Sequence, residues 1–196
     1  EGQGILSVAK HFPGHGDTAE DSHYTLPAVH HDRARLDSVE LLPFKRYIYD
    51  GYAGVMTGHL YVPALDKARN KPVSMSRAVV TDLLQKELGF RGLCFTDALA
   101  MKGATTRKSD NPSVMALLAG NDILLAPAAP INDFAAVKEA LEEGILDREE
   151  IEAKIIKILQ YKYIAGLNDY RPVETRGLSE RLNSPHAAWL AAKLNE

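Results

Sequence analysis

Cysteine occurs once in this sequence, at position 94, which excludes a disulfide within the chain. Long apolar runs are missing too. The longest, GYAGVMTG and DILLAPAAP, fall far short of the roughly 20 residues that span a bilayer, so the chain carries no membrane segment. Nor does one sign of charge prevail: 23 basic and 26 acidic side chains leave a net charge of −3. With no Lys/Arg cluster in one stretch, nucleic acid is set aside as a partner. There is also no initiator Met. The opening EGQGILSVAKH runs almost at once into a buried-type strand. The closing SPHAAWLAAKLNE starts a helix, with Ser184 as N-cap and Pro185 in the first turn, and stops while its apolar period is still running. This pattern reads as a piece of something larger. What is present, 196 residues at 45% hydrophobic and 25% charged, is enough to bury the core of an ordinary globular domain.

Short apolar runs at Ile5–Ala9, Ala53–Met56, Leu93–Phe95 and Asp122–Leu125 read as strands, with helical periods between them. Leu36, Val39, Glu40, Phe44, Tyr47 and Ile48 trace one helix, interrupted by Pro43. Ser76 caps a second, whose stripe of Val79, Val80, Leu83, Leu84 and Leu88 closes at Gly89. PSVMALLAGND gives a third, ending at Gly120. Past Leu125 the chain turns helical, over Phe134–Glu143 and then Asp147–Ala165. Strand–helix alternation of this kind implies an α/β fold of parallel β/α units.

The strands end on reactive groups: Lys10 and His11, then Thr57 and His59, then Thr96 and Asp97. In parallel β/α folds the carboxyl ends of strands form the rim where ligands bind. The stretch KHFPGHGDTAEDSH follows the first strand and admits several readings. His11, His15, Asp17, Asp21 and His23 offer a metal donor set, but Pro13, Gly14 and Gly16 preclude the helix that would pair histidines at i and i+4. A phosphate loop would need a Gly-Lys-Ser/Thr ending, which is absent. A solvated polar loop is the bland alternative. In the acid–base reading, an extended Asp21-Ser22-His23 places Asp21 and His23 on one side, so the carboxylate favours the imidazolium and prepares His23 to donate a proton. Asp97, directly after the apolar GLCFT, is a candidate nucleophile; alternatively it caps the ALAMKG turn.

The blocks KHFPGHGDTAEDSH, MTGHLYVPALD and GFRGLCFTDALAMKG, in this order, resemble the β-N-acetylglucosaminidase branch of glycoside hydrolase family 3. The likeness runs from about Val8 through Leu125, and the helical tail to about Gly166 is consistent with it. The resemblance implies the C-terminal half of a (β/α)₈ TIM-type barrel, with about four parallel strands in residues 1–166. Residues 167–196 are then a connector and the start of a helix leading to a missing region. A missing N-terminal half-barrel, or a second copy, would be needed to close the barrel, and the chain alone would have little activity.

By the same resemblance, Asp97 is the nucleophile that forms a covalent glycosyl-enzyme, His23 the general acid/base and Asp21 its dyad partner. Lys10 and His11 hydrogen-bond sugar hydroxyls, and Thr57 and His59 fall where the next strand meets the pocket. His15 orders the loop. No metal or cofactor is implied. The implied reaction is retaining hydrolysis of terminal β-linked N-acetylglucosamine from muropeptide or chitin-type carbohydrate, which favours a periplasmic or extracellular setting over a cytoplasmic one. Most retaining glycosidases use two carboxyl groups. A histidine in place of the second adds no negative charge, so phosphate can compete with water in the second step. Two glycines in PGHG offer hinges for the loop. The alternatives are a phosphorylase, a non-catalytic carbohydrate-binding half-barrel and a metal-dependent hydrolase.

Overall fold

The computed structural model describes residues 1–2, 4–22, 24–104 and 110–194, in two units, Glu1–Ala165 and Gly166–Glu196. In the first unit three parallel strands, β1 (Val8–Phe12), β2 (Gly54–Thr57) and β3 (Leu93–Thr96), lie in the order β1-β2-β3. Most residues of β2 and β3 are buried, and their sequences GVMT and LCFT are correspondingly apolar up to the closing threonine, as strands covered on both faces are. In β1 exposed and partly buried residues alternate until Phe12, which suits its place at the end of the strand order.

Two expectations for the strands change. The first strand begins at Val8 rather than Ile5, and it contains Lys10 and His11 instead of ending before them. The fourth candidate, Asp122–Leu125, supplies only an isolated parallel bridge between Phe95 and Ile123, so the described residues hold three strands and not four. The ladder fails there because side chains replace it. The Leu125 N–H donates to the Thr96 hydroxyl oxygen, and the Asp122 carboxylate takes the Cys94 N–H.

Helices α1 (Arg33–Ser38) and α2 (Leu42–Tyr49) divide the periodic stretch read as one helix. Pro43 lacks an N–H and its ring crowds the preceding turn, so it stands in the first turn of a new helix. Asp32 caps α1 by accepting from the Arg35 N–H. Between β2 and β3 the Ser76 hydroxyl accepts from the Val79 N–H and starts a π-helix, Ala78–Glu87. Leu88 closes it by donating five residues back to Leu83, and Gly89 follows at φ +73°. Helix α3 (Pro112–Ala119) is capped by Asn111 and stops at Gly120, at φ +114°. Helix α4 spans Pro130–Glu142, four residues earlier at its start than expected. Helix α5, Arg148–Ile164, is capped by Asp147, which accepts from the Glu150 N–H.

The main core packs α2 and the π-helix against the sheet through Phe12, Phe44, Val55, Leu84 and Cys94. Phe12 meets Phe44 edge to face at 5.1 Å between ring centroids. Phe12 is fully buried, so truncating it to Ala costs about 3–5 kcal/mol. That packing fixes the end of β1, and with it the residues just before Phe12.

The second unit contains α6 (Leu178–Leu182) and α7 (Pro185–Leu194). The Ser184 hydroxyl accepts from the Ala187 N–H, which is the cap its sequence suggests. Among the described residues no helix is long and apolar enough to cross a membrane.

Candidate active site

An open cavity of about 520 Å³ is lined by Lys10, His11, His15, Gly16, Asp21, Ser22 and Asp97. Consecutive residues of a regular strand point to opposite faces, yet Lys10 and His11 both line it. The cause is a break in register. Lys10 stands opposite Met56 and Phe12 opposite Thr57, so His11 is an extra residue in the register between the two strands. Such a bulge re-aims a side chain.

Asp97 stands immediately beyond β3. Its backbone N–H donates to the Thr57 carbonyl oxygen, and its Oδ1 accepts from the Ala98 N–H at 2.8 Å. Its Oδ2 lies 3.5 Å from His11 Nε2. One oxygen therefore braces the turn, as the capping alternative expected, and the other faces a cationic or hydrogen-bonding neighbour in the cavity. Asp97 is nearly buried, at 9% exposure, and an anion in such a place is aimed rather than solvated.

His15 is ordered from both ends of its ring. Nδ1 lies 2.8 Å from the Thr18 hydroxyl and Nε2 3.1 Å from that of Ser22, and the ring meets His11 edge-on at 5.6 Å. Asp21 is exposed, and its carbonyl oxygen accepts from the N–H groups of Tyr24 and Thr25. Tyr24 and Thr25 thus fold back onto Asp21, whereas the i, i+2 pairing expected of Asp21 with His23 rests on a residue, His23, that lies outside the described residues. The two-hinge reading of PGHG also changes. A Cβ on Gly14 would stand 2.8 Å from Glu40 Cβ, so Gly14 serves close packing, whereas Gly16 has open space around it.

Thr57 and His59 are not brought to the cavity; both are fully buried. The Thr57 hydroxyl reaches Asn121 Oδ1 at 2.9 Å. His59 donates from Nε2 to the Ala98 carbonyl oxygen at 3.1 Å, and its Nδ1 accepts from the Ser74 hydroxyl at 2.8 Å. That tautomer is neutral, and burial holds the His59 pKa below its ordinary value. His59 thus ties the end of β2 to the residue after Asp97. Asn121, which sequence reasoning passed over, also donates to the Ser74 and Ala116 carbonyl oxygens, so its amide is saturated. Its only signal is a polar residue directly after the helix-ending Gly120.

Asp17, His31 and Glu40 each bring one potential metal-ligand atom within 4.8 Å of the others. Only Asp17 belongs to the donor set considered from sequence. Arg35 already places its guanidinium 3.1 Å from Glu40 and 3.5 Å from Asp17. The hydrogen bond from His31 holds the Asp17 carboxyl below its ordinary pKa. The two carboxylates of this group already share the Arg35 guanidinium.

Comparison with known proteins adds a family. The model of the glycosyl hydrolase family 3 N-terminal domain matches residues 1–161. Beta-hexosaminidase A of Pseudoalteromonas piscicida is 37% identical over 182 residues, which are 83% of this chain and 30% of that protein. A solved family 3 beta-N-acetylglucosaminidase from Paenibacillus sp. str. FPU-7 superposes with a TM-score of 0.79 at 36% identity, over 87% of this chain and 33% of that one. NagZ from Neisseria gonorrhoeae, solved in complex with N-trifluoroacetyl-D-glucosamine, gives 0.64 at 26% identity over 96% and 50%. The chain therefore spans about a third to a half of the length of these relatives.

Proposed function

This chain belongs to the glycosyl hydrolase family 3 N-terminal domain family, and on that premise we propose that it carries the reacting groups of a retaining β-N-acetylglucosaminidase. The observation that carries the proposal is the cavity itself, which gathers Lys10, His11, Asp21 and Asp97 from the ends of β1 and β3. The names of the relatives support the substrate, since they are hexosaminidases and N-acetylglucosaminidases.

In this mechanism Asp97 Oδ2 attacks the anomeric carbon of a terminal β-linked N-acetylglucosamine. His23, assisted by Asp21, donates its proton to the departing oxygen. Lys10 and His11 hold ring hydroxyls and stabilise the charge that shifts onto the sugar. The covalent glycosyl-enzyme is then opened by water, with His23 now acting as base. Thr57 and His59 act through the backbone around Asp97 rather than by touching sugar, in keeping with their burial. The remainder of the sugar site belongs to a further half-barrel or a second copy, joined along β1 to complete a (β/α)₈ barrel. Residues 167–196 form a connector. The exposure of Ile5 and Val8 beside β1 supports this reading.

Proton NMR of the first-formed sugar tests the proposal, on a polypeptide that carries this chain and turns over an aryl N-acetylglucosaminide. Two inversions yield the β anomer first. An α anomer appearing first overturns the covalent mechanism. Repeating the reaction in inorganic phosphate separates hydrolysis, which releases the free sugar, from phosphorolysis, which releases the sugar phosphate.

A further inference from the structure

Gly103 lies in the single helical turn Lys102–Ala104 that follows the Asp97 loop. Its N–H donates to the Ser22 carbonyl oxygen at 3.1 Å, joining the segment after β3 to the segment after β1. A methyl group at Gly103 would stand 2.8 Å from the carbonyl oxygens of both Ser22 and Thr25, and 3.0 Å from His59 Cβ. Even a favourable carbon–oxygen contact keeps about 3.3–3.6 Å. Two of these neighbours are backbone atoms, which no rotamer change can move aside. The φ of Gly103 lies outside the left-handed region, so its backbone conformation is open to other residues. Space, not torsion, is what demands glycine here.

The neighbours connect to two different segments that line the cavity, the one after β1 and the one after β3. Ser22 follows Asp21, lines the cavity with it, and meets His15 Nε2 through its hydroxyl. His59 holds the Ala98 carbonyl, next to Asp97. We infer that Gly103 is a positioning residue that sets the separation between the nucleophile Asp97 and the loop bearing Asp21. The inference rests on the glycosidase reading above. It deepens that reading, because acid and nucleophile must act on one bond from two sides, and a misplacement of about 1 Å can cost about 10²-fold in rate.

The test is Gly103→Ala in a polypeptide that carries this chain. With the loop displaced and Asp97 still seated, kcat/KM falls about 10²-fold for N-acetylglucosaminides with poor leaving groups, which need the acid. Trapping of Asp97 by an activated 2-fluoro donor stays close to wild type. Equal losses on all leaving groups, or no loss, overturn the inference. A second measurement needs no variant: in the wild-type chain the Gly103 amide exchanges its hydrogen slowly because Ser22 holds it, and free exchange overturns the contact. Should wild type take no label on Asp97, the glycosidase reading fails, while slow exchange at Gly103 still supports the spacing between the two segments.

Discussion

His11 Nε2 lies 3.5 Å from Asp97 Oδ2, although their strands are not neighbours in the sheet. β2 separates β1 from β3. The two side chains meet across the end of β2 because the bulge in β1 re-aims His11 and because Asp97 stands past the last residue of β3. An imidazole so close to a carboxylate orients one of its oxygens and offers a donor to whatever the other groups in the cavity hold.

The first prediction concerns that donor. His11→Ala lowers kcat/KM by about 10²-fold, the usual cost of removing one well-aimed hydrogen-bond donor. His11→Gln keeps a donor and retains part of the activity. Steady-state kinetics on an aryl N-acetylglucosaminide decides, and equal activity of the alanine variant and wild type contradicts the role.

The second concerns acid stability. Burial holds the His59 pKa below its ordinary value of 6.5. A folded value below the unfolded one means that stability is fully present above the unfolded pKa and lost as pH falls through the folded one. Urea midpoints measured between pH about 7.5 and 5 should therefore decline. His59→Gln should flatten that decline and, by disturbing the bonds to Ser74 and Ala98, cost about 1–3 kcal/mol at neutral pH. An unchanged pH slope in the variant contradicts the assignment.

The third concerns Cys94. Burial, reinforced by the neighbouring Asp122 carboxylate, pushes its thiol pKa up to about 11, and the thiolate is the reactive form. Iodoacetamide at pH about 8 leaves the folded chain unmodified and adds a single group after unfolding in urea. Mass spectrometry reads the result; rapid modification of the folded chain would contradict the placement of β3 in the core.

Much of this site was legible. β2 and β3 read as apolar runs because both are covered on two faces, and the caps Ser76 and Ser184 follow from local chemistry alone. Of the strand-end groups read as a rim, Lys10, His11 and Asp97 line one cavity. The misses share a cause: contacts between segments distant in sequence. The bulge at His11 depends on register against β2, and no periodicity within KHF reports it. Thr57 and His59 look like rim residues because polar groups after an apolar strand usually are. They are buried because Asn121 and Ser74, far along the chain, satisfy them. The fourth strand failed where Thr96 and Asp122 side chains took the ladder's hydrogen bonds. Gly103 is one more glycine in a motif until the carbonyls of Ser22 and Thr25 are seen beside it.

The central claim is that Asp97 is the nucleophile. Its direct test is trapping with an activated 2-deoxy-2-fluoro glycosyl donor, followed by peptide mapping of the polypeptide that carries this chain. The account predicts one glycosyl adduct on Asp97 in the wild type, none in Asp97→Asn, and a loss of kcat of about 10⁴-fold or more in that variant. An adduct on another carboxylate, or labelling that survives Asp97→Asn, would contradict it.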